Sequence, residues 1–266
     1  MTTTLLLLIS SIAFANNQCP VVCAPNTKKN PNILQAMKWY RDSAEKKASY
    51  RQVYNVATDY VKEWVRQHHP QPKTWGVVLD IDETTLDNSW YCYQCNSLLA
   101  NPVNFSHFVT ISKKSVALPG VVAFTQRIHE LGGYVTMLSN RDGSYVDPSG
   151  ITALQATIDN LKQQQVTFDQ VILANNKNAK HPKDKNPRFN AVIHGCYDPD
   201  EMVWSNKLPA HPVIAYFGDN IQDFPRLKQA IMYALPNDAQ QYNKFGQGYF
   251  ILPNPLYGSW QGNSSS

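Results

Sequence analysis

An apolar run, Gly76-Val77-Val78-Leu79, ends abruptly in Asp80-Ile81-Asp82, and that junction constrains the chain more than any other stretch. A short β-branched run bounded by polar residues reads as a buried strand of a parallel sheet. In open α/β sheets the ligand crevice lies beyond the carboxyl ends of such strands, where Asp80 stands. A spacing of two in extended backbone sends Asp80 and Asp82 to one side, close enough to share a divalent cation and a phosphoryl group. The plain alternative is a capping turn, since Asp and Thr also start helices.

The rest of the chain supplies the partners of that strand. Asn30-Pro31 opens a helical region over residues 31–69, with apolar residues at Ile33, Leu34, Met37 and Tyr40 and again from Tyr50 to Trp64, as two helices or one broken one. Pro70 and Pro72 end it. After Leu86-Asp87-Asn88-Ser89, a stretch with Trp90, Tyr91, Tyr93, Phe105 and Phe108 is too long for a loop and predicts a small cap insert over 88–118. Leu118-Pro119-Gly120 starts a helix that stops at Gly132-Gly133. Tyr134 to Leu138 is a strand ending in Ser139-Asn140-Arg141-Asp142, Ile151 to Gln164 a helix, and Val171 to Leu173 a strand. Asn175 to Arg188 reads as a polar, basic loop and Asn190 to Pro212 as an irregular excursion. Val213 to Phe217 is a strand that empties into Gly218-Asp219-Asn220-Ile221-Gln222-Asp223-Phe224, and Phe250 to Leu252 a last strand. This alternation of strand and helix predicts an α/β fold with a doubly wound parallel sheet in one domain, for which 266 residues suffice.

The net charge of +4 comes without a clustered Lys/Arg stripe, which argues against a nucleic-acid polymer as partner. Residues 1–15 hold an apolar core, Leu5 to Ile9, and end in Ala13-Phe14-Ala15, the small-x-small pattern of a cleaved signal peptide. Export is expected, with a mature domain over 16–266. Cys19 follows Asn17-Gln18, not small apolar residues, so no lipid anchor in the membrane is expected. The five cysteines, Cys19, Cys23, Cys92, Cys95 and Cys196, favour disulfides over zinc outside the cytosol, with their pairing open. The seven histidines are scattered without metal spacing and read as structural.

In a parallel sheet the four strand ends share one edge, so Asp80 and Asp82, Ser139, the lysine-bearing loop, and Asp219 and Asp223 can converge. Clustered aspartates suit a hard cation such as Mg2+, and serine and lysine suit phosphate oxygens. The set specifies phosphoryl chemistry.

The stretch from Asp80 to Ser89 resembles the Asp-x-Asp-x-Thr motif of the haloacid dehalogenase (HAD) superfamily, in the form used by bacterial class C acid phosphatases of the lipoprotein e type. Leu138-Ser139-Asn140-Arg141 is similar to their second motif, Lys185-Asn186-Pro187-Arg188-Phe189 to their lysine motif, and Gly218 to Phe224 to their acidic motif. The tail from Leu252 to Trp260 is similar as well. The resemblance implies a HAD-like fold and a Mg2+-dependent acid phosphatase acting on small phosphomonoesters, nucleoside monophosphates among them. It implies Asp80 as nucleophile and Asp82 as acid and base. Metal ligation falls to Asp80, the Asp82 carbonyl and Asp219, with Thr84 and Asp223 in support. Ser139, Asn140 and Lys185 hold the phosphate. Lys183 is the alternative to Lys185, and Asp87 reads as a structural hydrogen-bonding residue. Trp90, Tyr91 and Phe105 either stack on a leaving group or form the core of the insert. A non-catalytic binding or storage protein on the same fold, a phosphotransferase to an alcohol, and a dimeric state stay open.

Overall fold

A computed structural model describes residues 31–91, 108–110 and 112–264. The signal-peptide stretch, Phe105 and the cysteines other than Cys196 lie outside these residues. The helical region is two helices, α1 (Pro31–Asp42) and α2 (Ala44–His68). The break falls at Ser43, whose hydroxyl accepts the Lys46 N–H at 3.0 Å and so caps α2. His69 ends that helix in left-handed backbone, its N–H returning to the Val65 carbonyl.

The strands are β1 (Gly76–Leu79), β2 (Leu86–Asp87), β3 (Val116–Ala117), β4 (Tyr134–Asp142), β5 (Gln170–Ala174), β6 (Met202–Trp204), β7 (Val213–Gly218) and β8 (Tyr249–Ile251). Six form one sheet in the order β6-β5-β4-β1-β7-β8, parallel throughout except for β6. The strand that carries Asp80 is therefore central, as its unbroken burial requires. The fold is α/β with a mostly parallel, HAD-like sheet. β2 and β3 pair antiparallel, Asp87 facing Val116, so the chain leaves and re-enters the domain at one place on either side of the insert.

Side-chain alternation divides the core into two layers. Val77, Leu79, Val135, Met137, Val171, Leu173, Ala215 and Phe217 face α2, α3 (Val121–Glu130) and α4 (Ala153–Gln163). Val78, Leu138, Ile172 and Tyr216 face α5 (Asn186–His194) through Phe189 and Val192. Each large apolar side chain buried this way contributes about 1.5–3 kcal/mol. α3 starts at Gly120, with φ of 99°, where an added Cβ would lie 3.1 Å from the Tyr54 ring, so glycine lets the two helices close on each other.

Three sequence expectations change here. Residues 186–194 are helical, so the basic loop ends at Lys185, and the first part of the supposed excursion is α5. Its later part contributes the antiparallel edge strand β6, whose three residues are too few to show a period. Ser139 to Asp142 is not a turn beyond β4 but its last segment, with a register irregularity against β5. Among the described residues no helix is long and apolar enough to cross a membrane.

Candidate active site

Beyond β1 the chain folds back sharply. The N–H groups of Thr85 and Leu86 both reach the Ile81 carbonyl, and Glu83 takes left-handed backbone with φ of 55°. That conformation is uncommon for a residue with a side chain, and its surroundings hold it. The Tyr50 hydroxyl donates to the Glu83 carbonyl at 2.6 Å, and the Tyr54 hydroxyl donates to the Thr84 carbonyl at 2.9 Å. The Glu83 carboxyl is itself fully buried and accepts the Asn88 N–H at 2.7 Å. Burial, with Asp82 and Asp87 nearby, pushes its pKa well above the ordinary carboxylate range. Helix α2 thus acts as a brace for the loop that bears both aspartates.

Asp80, Asp219 and Asp223 come together, each offering an oxygen within 4.8 Å of the others. Asp223 is aimed by a short 3-10 turn after β7: its Oδ2 accepts the Asn220 N–H at 2.9 Å, and the Asn220 side chain accepts from Gln222 in return. Gly218 makes room for it, since a Cβ there would meet the Cβ of Asp223 at 2.2 Å. Asp219 accepts from Thr84 Oγ1 at 3.3 Å and from Asn254 Nδ2 at 2.7 Å, so both its oxygens are oriented. Lys185, 2% exposed at the head of α5, donates to Asp80 and, at 2.7 Å, to Asp223. Lys183, in contrast, offers its backbone carbonyl to Asn140.

The electrostatics follow from burial. Burial disfavours the Lys185 ammonium, but Asp223 and Asp80 outweigh it and raise its pKa. Burial raises Asp219, with repulsion from Asp223 and Asp80 added, and burial raises Asp80 against the pull of Lys185. Three clustered carboxylates, those of Asp80 and Asp223 buried and that of Asp219 partly so, have one lysine among them, which leaves negative charge uncompensated. An all-oxygen donor set with surplus negative charge fits a hard divalent cation.

Asp82 stands apart from this cluster. Its Oδ1 accepts from Arg141 Nη2 at 2.7 Å, Arg141 Nε at 3.0 Å and Asn88 Nδ2 at 2.6 Å. Its Oδ2 lies 3.3 Å from Ser139 Oγ and 3.2 Å from Arg141 Nε. Asn140 is exposed, and its side chain is engaged by Arg188 and by the Lys183 carbonyl, which ties the end of β4 to the lysine loop. Tyr91, 2% exposed, packs on Phe108 in the main core. Trp90 is half-buried, stacks on Phe108 and lies under Lys114. Phe105, the third aromatic of the expected pocket, lies outside the described residues.

Arg141, Asn88, Asn254 and Arg188 are the site's neighbours that the sequence reading did not single out. Arg141 was hidden by the reading of Ser139 to Asp142 as a turn, since only a strand that runs on to Asp142 puts it, by period two, on the face of Ser139. Asn254 acts on Asp219, far off in sequence, and Asn88 meets Asp82 and Glu83 only because the chain turns back beyond β1, so neither gave a local signal.

The sequence matches, over residues 7–260, the family described as HAD superfamily, subfamily IIIB (acid phosphatase). The structure is similar to that of the class C acid phosphatase from Bacillus anthracis, with a TM-score of 0.66 and 26% identity over 86% of this chain and 86% of that one. A second structure of the class C acid phosphatase from B. anthracis, with tungstate bound, gives 0.67 and 26% over 88% and 89%. By sequence and by fold together, the chain belongs to the class C acid phosphatases of the HAD superfamily and is a phosphomonoester hydrolase.

Proposed function

We propose that the enzyme is Mg2+-dependent, works through an aspartyl-phosphate on Asp80 and accepts nucleoside monophosphates among its substrates. The observation that carries this reading is Lys185 bridging Asp80 and Asp223 beside Asp219, a fixed cation and a three-carboxylate cluster at the adjoining ends of β1 and β7. Asp80, Asp219 and Asp223, with the Asp82 carbonyl, would hold the metal. When bound, Mg2+ supplies positive charge that offsets repulsion between the nucleophile and the phosphate dianion.

Asp80 attacks phosphorus as the ester oxygen leaves. Lys185 and Ser139 donate to the equatorial oxygens, where charge spreads in the transition state. Asp82 gives a proton to the departing oxygen and later takes one from the water that attacks phospho-Asp80. Trp90 is the described aromatic with an accessible portion, and it is the residue assigned to an aryl or base leaving group. Ala13-Phe14-Ala15 supports cleavage after Ala15 and export of the enzyme.

The test is phosphate release from an aryl phosphate and from a nucleoside monophosphate, with Mg2+ and with excess chelator. Activity that chelation abolishes and Mg2+ restores, together with an Asp80→Asn enzyme that forms no hydroxylamine-sensitive phosphoenzyme on acid quenching, is the expected result. Full activity in chelator would overturn the metal reading, and phosphoenzyme in Asp80→Asn would overturn the nucleophile.

A further inference from the structure

We infer that Arg141 is a positioning residue that fixes the rotamer of Asp82, and that Oδ2 of Asp82 is the oxygen that carries the transferred proton. The inference rests on the reading of Asp82 as acid and base and specifies how that carboxyl is held.

The two oxygens of Asp82 have unequal surroundings. Oδ1 receives two short donors of its own, Arg141 Nη2 at 2.7 Å and Asn88 Nδ2 at 2.6 Å, and the nearer arm, at 3.0 Å, of the single Arg141 Nε–H that it shares with Oδ2. An oxygen so filled has no lone pair open for a proton. Oδ2 has only longer contacts, 3.2 Å to Arg141 Nε and 3.3 Å to Ser139 Oγ. It is the oxygen with capacity to spare.

The anchor is rigid on both sides. The Arg141 side chain is 1% exposed, and its Nη1 donates to Thr157 Oγ1 of α4 at 3.0 Å, so the guanidinium plane is fixed between two elements. Asn88, fully buried, is held by Ser115 Oγ on its oxygen and by the Glu83 carboxyl on its nitrogen. Such a fork gives a carboxylate both charge compensation and direction.

Ser139 links this anchor to substrate. Its oxygen accepts the Arg141 N–H at 3.1 Å, and its single proton points to Asp82 Oδ2. When a phosphate oxygen draws that proton into a hydrogen bond, Oδ2 loses its partner and is released toward the ester. As the P–O bond to the leaving group breaks, the proton on Oδ2 passes to the leaving oxygen. Arg141 meets the carboxylate charge that results. Oδ2 then takes a proton from water as the water oxygen bonds to phosphorus and the bond to Asp80 breaks.

Leaving-group dependence of kcat/KM tests this, because that constant reports steps through ester cleavage and not the later hydrolysis of phospho-Asp80. An alkyl phosphate needs a proton donor, and p-nitrophenyl phosphate hardly does. Asp82→Asn sets the benchmark, with a loss of roughly 10²–10⁴-fold on the alkyl ester and far less on the aryl ester. Arg141→Met is expected to widen the alkyl-to-aryl gap by at least ~10-fold, with Arg141→Lys in the same direction and smaller. Equal losses on both esters in folded Arg141→Met, or an unchanged gap in Arg141→Lys where the Met variant fails to fold, would overturn the role of Arg141. Equal losses in Asp82→Asn would overturn the acid assignment, and the inference with it.

Discussion

Lys185 Nζ lies 2.7 Å from Asp223 Oδ1 while it also donates to Asp80, so a single ammonium joins the residue that follows β1 to the turn after β7. With this lysine replaced by methionine, the buried carboxylates of Asp80 and Asp223, beside the partly buried Asp219, are left without a fixed cation. Breaking a buried pair of this kind costs about 3–5 kcal/mol, and loss of one transition-state donor lowers kcat by about 10²–10³-fold. Lys185→Met should therefore melt at lower temperature in chelator, regain part of the loss with Mg2+, and stay inactive in both. Lys185→Arg should not restore activity, because a planar fork does not fit a seat made for a point charge. Thermal melts and phosphate release, each with and without Mg2+, check the four outcomes.

The tail supports the proposed metal ligands through Asn254, whose Nδ2 holds Asp219 Oδ2 at 2.7 Å while Thr84 holds Oδ1. Partners that orient a ligand typically change metal affinity by about 10–100-fold when removed. Asn254→Leu should raise the Mg2+ concentration needed for half-maximal activity by that factor and leave kcat at saturating Mg2+ within a few-fold of wild type. Asp219→Asn should abolish the Mg2+-dependent rise in melting temperature altogether. A normal Mg2+ titration in Asn254→Leu would remove Asn254 from the metal's support.

Much of this arrangement was legible because burial on both faces makes a parallel strand a continuous apolar run, and β1 ends where Asp80 begins. Ser139, Lys185, Asp219 and Asp223 were legible from the ends of successive elements. The helix at residues 186–194 was not, although Phe189, Val192 and Ile193 have helical spacing. It is short, and its first turn, Asn186-Pro187-Arg188, reads as more of the basic loop. Asn88 was out of reach for a different reason. Its partners at 82 and 83 meet it across the turn beyond β1, and its partner at 115 meets it once β2 and β3 have paired.

Lys46 and Asp87 form an ion pair at 2.8 Å across α2 and β2, with side chains 8% and 14% exposed, and the ammonium lies 4.3 Å from the Tyr40 ring centre. Asp87 also accepts the Ser89 N–H, so the pair secures the start of the insert. Lys46→Met leaves a carboxylate facing a buried wall and should cost about 2–3 kcal/mol, less than for a fully dry pair. The double variant Lys46→Met, Asp87→Leu should cost less than the sum of the singles. A double-mutant cycle by urea unfolding measures the difference, and strict additivity would mean the two residues do not interact.

Asp169 makes stability depend on acid in a defined window. Burial opposes its ionisation, but His129 Nε2 at 2.6 Å, the Val135 N–H at 2.8 Å and Lys73 Nζ at 2.9 Å outweigh that and hold its pKa at about 2, below the ordinary 3.8. A carboxyl whose folded pKa is depressed contributes stability that is complete above its unfolded value and disappears as pH falls through the folded one. The contribution is therefore whole above about pH 5 and is lost between about pH 4 and pH 2. Linkage sets its size at about 2 kcal/mol, and water around the half-exposed lysine trims that to about 1 kcal/mol. Asp169→Asn should accordingly be less stable than wild type by roughly that amount near neutral pH, in addition to any change in neutral hydrogen bonding, and the gap should narrow as pH drops toward 2. Urea midpoints from pH 6 to pH 2.5 measure it. A gap that keeps its size down to pH 2.5 would show that the ionised carboxylate contributes nothing specific at the junction of α3, β4 and β5.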